Sequence, residues 1–257
     1  MKVKNTIQLL RHATLYIQIA GLKLLIDPML SSKEAMDPVQ NCGNEKRIPM
    51  VDLPITKEDL NTMLKEADAV FVTHTHRDHW DLAAQQSIDK NKPVFCQPAD
   101  EVKIKEQGFT NVTAIDNKIH WKGITIYRTR GQHGTGETGR SMGVVSGFIF
   151  ENGDQTIYVA GDTIWCNDVE NALHQFKPMI TVLNAGGAQF LTGDPITMTP
   201  DDIINVHEKL PGTKIIAVHM DTVNHCFIKR TDLVEALEKK GLQPEVIIPV
   251  DGEEIEI

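Results

Sequence analysis

The sequence predicts a layered α/β protein folded as one unit over residues 1–257. Three observations carry that expectation. Strand-like and helix-like runs alternate along the chain. A block of mixed strands and helices occurs twice, with no composition shift or linker between the two. One apolar run, Ala69-Val70-Phe71-Val72, then breaks into three histidines and an aspartate within six residues, as a buried strand does when its C-terminal end carries chemistry.

Composition sets the outer limits. A chain of 257 residues, 41% apolar and 24% charged, is long enough for a large core and ordinary for a globular protein. A formal charge of −9 argues against a general nucleic-acid binder, which needs a basic face. The opening Met1-Lys2-Val3-Lys4-Asn5-Thr6 has no apolar leader core, and no apolar run approaches the ~20 residues that span a bilayer. The four cysteines are scattered and form no C-x-x-C pair, and a chain of this size needs no disulfide. A cytoplasmic protein without membrane or nucleic-acid partners is expected. Self-association stays open.

The elements follow in order. Residues 7–26 read as a β-meander, with Ala20-Gly21 as a turn and Asp27-Pro28 as the stop. Residues 31–54 lose all periodicity and hold Pro38, Gly43, Pro49 and Pro54, the composition of a lid or binding loop. Thr56 caps a helix running to about Ala67, with Asp59 in the capping-box position. The apolar strand follows, then a helix from Leu82 to Ile88.

Pro93-Val94-Phe95-Cys96 and Val112-Thr113-Ala114-Ile115 are strands around a helix, Ala99 to Gln107, that Gly108 ends. Two strands, Ile124-Thr125-Ile126-Tyr127 and Val144 to Phe150, flank a glycine-rich loop from Gly134 to Gly143. Asn152-Gly153 turns the chain into Thr156 to Ala160. The last third alternates three helices (167–175, 200–209, 232–240) with three strands (179–183, 214–218, 246–248). Thr199-Pro200 is a cap with proline at the first helical position.

The chemistry concentrates at 74–79. His74 and His76 are two apart, so in extended chain they point the same way, while Asp78 and His79 face a second point where the chain curls. Imidazole and carboxylate in that arrangement suit two divalent metals. Three further places put a polar ligand directly after an apolar strand: His133 in Gly131-Gln132-His133, Asp162 in Ala160-Gly161-Asp162, and His219 in Ala217-Val218-His219. In a layered α/β fold such strand ends converge.

The spelling H-x-H-x-D-H, with a later histidine, aspartate and histidine in that order, resembles the metallo-β-lactamase superfamily over essentially the whole chain. The resemblance implies the metallo-β-lactamase fold, a four-layer αββα sandwich. It implies that His74, His76 and His133 hold one metal and that Asp78, His79 and His219 hold the other. Asp162 would bridge them together with a hydroxide. Zn or Mn is expected, and Fe shares these ligands.

The implied function is hydrolysis, with the two cations making water nucleophilic near neutral pH and Asp78 and Asp162 positioning it as catalytic residues. An early strand ending in aspartate, here Asp27, supports the metals in that superfamily or is a simple turn residue. Asp162 and the run from Arg11-His12 to Asp27-Pro28 look most like the cytoplasmic branch that contains L-ascorbate-6-phosphate lactonase. A lactone or ester of a small metabolite is therefore expected, with a phosphodiester as the alternative. An iron-dependent redox enzyme and a non-catalytic metal-binding protein are the rivals of another class. His12 and His225 are candidates to touch the substrate or to support the metal ligands, and Arg47 and Arg140, with Arg77 as a further cation, are candidate contacts for a small, anionic molecule. Trp80 and Trp165 are candidates for the pocket wall or the core.

Overall fold

The computed structural model describes residues 4–153 and 155–257. The first half begins with the meander β1 (Thr6–Arg11), β2 (Thr14–Ile19) and β3 (Leu22–Ile26). Helix α1 (Lys57–Glu66) leads into β4 (Ala69–Val72), α2 (Leu82–Ser87), β5 (Val94–Cys96), α3 (Glu101–Glu106) and β6 (Val112–Ala114). The second half repeats the pattern: β7 (Lys118–Trp121), β8 (Ile124–Arg130), α4 (Gly136–Met142), β9 (Ser146–Asn152) and β10 (Gln155–Val159). Then α5 (Asn167–Phe176), β11 (Ile180–Asn184), α6 (Pro200–Lys209), β12 (Lys214–Val218), α7 (Arg230–Lys240), β13 (Val246–Ile247) and β14 (Glu254–Glu256) complete the chain.

Two seven-stranded sheets result, in the orders β14-β1-β2-β3-β4-β5-β6 and β13-β12-β11-β10-β9-β8-β7. Each is antiparallel at its meander and parallel beyond it, where helices make the crossovers. The sheets face each other across one apolar layer that includes Ile17, Phe71, Phe95, Phe148, Phe150 and Val182. Their outer faces carry separate clusters. Val70 and Val72 pack with Leu64 of α1 and Ile104 of α3, while Leu183 and Ala217 pack with Val169, Ile203 and Leu233 of α5, α6 and α7. This is the expected αββα sandwich. It explains why β4 reads as unbroken apolar sequence: Phe71 faces one cluster and Val70 the other, so neither face is wet.

Local rules account for the boundaries. Thr56 and Thr199 accept the N–H of Asp59 and Asp202, and Asp202 returns a full capping box. Ala20 and Gly21 both have positive φ, as a tight hairpin turn requires. Three elements depart from expectation. Strand β7 is not among the expected elements, although its exposed Lys118 and His120 alternate with half-buried Ile119 and Trp121. The glycine-rich loop contains α4. The C-terminus adds β14 to the edge of the first sheet beside β1. The opening Met1-Lys2-Val3 lies outside the described residues.

Candidate metal centre

The rims of both sheets meet at the site. β4 delivers Thr73 to His79, the loop after β8 delivers His133, the bend after β10 delivers Asp162, and β12 delivers His219. Asp162 depends on Gly161, which has φ +70° and packs so tightly that a Cβ would stand 2.5 Å from the Ser146 carbonyl. All seven predicted donors are brought together. His74, His76 and His133 form one group of atoms within 4.8 Å of one another, and His12, Asp78, His79 and His219 form another. Asp162 lies between, its Oδ2 3.2 Å from His79 Nε2 and 3.5 Å from His133 Nε2, its Oδ1 3.2 Å from His219 Nε2.

The outward nitrogens show how the rings are set. His79 Nδ1 donates to Asp27 at 2.8 Å and His133 Nδ1 to the Ile196 carbonyl at 2.7 Å, while His219 Nδ1 lies 3.5 Å from Cys226 Sγ. His74 Nδ1 donates to the Thr73 hydroxyl at 3.1 Å, which itself donates to Asp27 at 2.7 Å. With those protons turned outward, each ring in its neutral form presents an Nε2 lone pair to the interior. His79 Nε2 and His219 Nε2 face each other at 3.2 Å, and His74 Nε2 faces His76 Nδ1 at 3.0 Å. Each pair needs a proton on one of its nitrogens, or a cation between them, to be held that close.

Charge points the same way. Asp27, Asp78 and Asp162 are buried, and their ion-pair partners among the described residues are histidines rather than lysine or arginine. Burial pushes the Asp162 carboxyl up, but the charges of His219 and His79 outweigh it and hold the group well below the usual carboxylate range. Asp78 is held low in the same way, chiefly by His79 against its own burial. Burial lowers His74 and His133, the former well below the ordinary imidazole value. His79 alone is drawn well above that value, because Asp162, Asp27 and Asp78 overcome its burial. A buried, net-negative nest of inward-facing N and O donors fits divalent cations.

Beside the donors lies a cavity of about 500 Å³, within the range of small-molecule sites. His76, Asp78, His133 and Asp162 form its floor, and Val39, Met142, Phe190 and Ile196 give it an apolar wall. Asp37 to Gln40 bring the irregular 31–54 segment over it. That segment is tied at both ends to buried Arg11, which donates to the carbonyls of Met29, Ser31 and Val51.

Of the candidate substrate contacts, His225 lines the cavity; it is buried, which lowers it to about 4. Arg47 does not line it: its guanidinium is engaged by Asp37 and the carbonyls of Glu34 and Ala35. Arg140 sits exposed on α4, away from the wall, and Arg77 is the arginine that reaches it. His12 is wholly buried behind Asp78 rather than facing the cavity. Trp80 belongs to the outer core against Phe109, and Trp165 packs at the edge of the other helical layer. Three contributors escaped the sequence reading: Thr73, Cys226 and Asn184, whose amide donates to Asp162 Oδ1 at 2.6 Å. Asn184 was findable, since it is the polar residue that ends the largely apolar strand β11.

A model of the β-lactamase superfamily domain matches residues 23–220. The chain belongs to the β-lactamase superfamily. It also belongs to the UPF0173 family: it is 37% identical over 248 residues to UPF0173 protein YddR of Bacillus subtilis, covering 95% of this chain and 96% of the relative. Two solved structures share its architecture throughout. One is a possible metal-dependent hydrolase from Veillonella parvula, 39% identical, with a TM-score of 0.95 and coverage of 99% of this chain and 100% of that one. The other is isothiocyanate hydrolase from Delia radicum gut bacteria, 40% identical, with a TM-score of 0.92 and coverage of 98% and 99%. Among the described residues, no helix is long and apolar enough to cross a membrane.

Proposed function

We propose that this metal-dependent hydrolase adds water to the central carbon of a small isothiocyanate. The observation that carries the reading is the cavity: metal-type donors on its floor and Val39, Met142, Phe190 and Ile196 beside them. Such a wall suits an uncharged electrophile with an apolar substituent. The structural likeness to isothiocyanate hydrolase at 40% identity supports the same chemistry.

His74, His76 and His133 would hold one divalent cation and Asp78, His79 and His219 a second, with Asp162 shared. Bound there, the cations supply a water acidic enough to be a nucleophile near neutral pH and a positive centre for the charge that develops. Asp78 and Asp162 would orient that water by accepting its hydrogen bonds. His225 offers a ring edge to the substrate from the wall. Water oxygen bonds to the carbon of R–N=C=S, nitrogen takes up the protons, and scission of the C–N bond gives the amine and carbonyl sulfide.

Arg77 on the wall favours a second reading, a lactone, ester or phosphodiester that bears an anionic group, as in phosphosugar lactones. Metal-loaded protein is assayed side by side on an alkyl isothiocyanate, a sugar lactone and an activated phosphodiester, with Asp162→Ala as control. Isothiocyanate loss that the variant abolishes is expected. Turnover of the lactone or phosphodiester alone would replace the first reading by the second.

A further inference from the structure

His12 stands against the metal-type donors without being one of the seven. It lies in the turn between β1 and β2, wholly buried, at φ +61°. Its Nε2 is 3.2 Å from Asp78 Oδ2. Its ring lies 3.6 Å from that of His219, at 35° to it, and its carbonyl accepts the His219 N–H at 2.9 Å. His219 is itself at φ +70°. Two non-glycine residues are thus held in the left-handed region, back to back, by one hydrogen bond and one ring contact, an arrangement that costs energy and clusters at functional sites.

Two roles fit that placement, and the other ring nitrogen separates them. A ligating imidazole passes its second N–H to an acceptor, as His74, His79 and His133 do. His12 Nδ1 is buried with no hydrogen-bond partner. Were Nε2 a ligand, Nδ1 would carry an unpaired buried N–H, the rarer and more costly kind of orphan. The opposite tautomer places the proton on Nε2, where it meets the Asp78 carboxylate.

We propose that His12 is a positioning residue rather than a ligand: it donates to Asp78 and backs His219, fixing two of the three donors at the second metal position from the β1–β2 turn. This rests on the metal-centre reading. It extends the supporting shell to a turn 62 residues before the H-x-H-x-D-H run.

The test titrates metal-free protein with Zn²⁺ against a chromogenic chelator. Wild type should show two binding constants. His12→Phe keeps a ring against His219 but removes the hydrogen bond, and should weaken one constant by ~10–100-fold while sparing the other. His12→Gln returns an N–H donor and should recover part of the loss. Cobalt-loaded His12→Gln should keep the wild-type visible absorption, because no donor to the metal has been removed. Two unchanged constants in His12→Phe would overturn the proposal. So would a cobalt spectrum in His12→Gln that has lost a nitrogen donor, which would make His12 a ligand. A wild type that takes up no metal would overturn the metal-centre reading with it. Circular dichroism identifies a variant that fails to fold, in which case the glutamine variant decides.

Discussion

Asp27→Asn isolates the supporting shell with almost no change of shape. Asp27 is buried at the end of β3 and receives three protons: the Thr73 N–H at 2.7 Å, the Thr73 hydroxyl at 2.7 Å and His79 Nδ1–H at 2.8 Å. The last two share one oxygen, Oδ2. Asparagine has a single carbonyl oxygen. If it faces the Thr73 N–H, the amide NH₂ confronts the hydroxyl and the imidazole. His79 must then give up its Nδ1–H tautomer, which puts a proton on the inward Nε2 where a lone pair is needed. Hydrogen bonds to a charged group are worth ~1.5–3 kcal/mol each. Losing one or two of them should cost the metal-free protein about 2–4 kcal/mol, or ~4–16 °C in melting temperature for a chain of this size. Metal affinity should fall by ~10–100-fold. Thermal melts in chelator and a competition titration with Zn²⁺ read the two effects. Unchanged melting and unchanged affinity would refute the reasoning that Asp27 sets His79.

Three further outcomes are expected. Cys226→Ala removes the hydrogen-bond partner of His219 Nδ1 and should weaken metal binding by ~10-fold or more, with Cys226→Ser recovering much of it, read by the same titration. Acid should destabilise the metal-free protein from about pH 6.5 downward. Burial depresses His225 to about 4 and His12 to about 3, so the unfolded chain binds protons first, and their stability contribution is complete above 6.5 and lost as pH falls toward the folded values. His225→Gln should flatten that slope in urea melts taken between pH 7 and 4, and an unaltered slope would remove His225 from the explanation. Thr199→Ala breaks a capping box at α6 and should cost ~1 kcal/mol in melts while leaving metal affinity untouched.

Much of this architecture was written locally. Helix α6 was legible to the residue because Thr199, Pro200 and Asp202 spell its start. Strand β4 was legible because burial on both faces leaves an uninterrupted apolar run. Helix α4 was not, since Gly134, Gly136, Gly139 and Gly143 argue for loop. The structure gives Gly139 another reason: a Cβ there would stand 2.4 Å from the Gly134 carbonyl, so the glycine serves a close approach inside a helix. Strand β14 was hidden because Ile255 is its one buried residue and its existence depends on pairing with β1 across the whole chain. The donors were legible as polar residues ending apolar strands. Their supports were not, because Cys226 meets His219, and Ile196 meets His133, only through tertiary folding. Arg47 misled for the same reason: charge type is visible in sequence, but the competing contact with Asp37 is not.

Seven side chains on four strand-end loops are proposed to form one dinuclear metal centre. Elemental analysis of purified protein, dialysed free of loosely held ions and set beside Asp162→Ala, tests it most directly. Two divalent metal ions per chain are expected in the wild type, and fewer, held more weakly, in the variant that lacks the shared carboxylate. A wild type with no bound metal, or an Asp162→Ala protein with the full wild-type content, would contradict it.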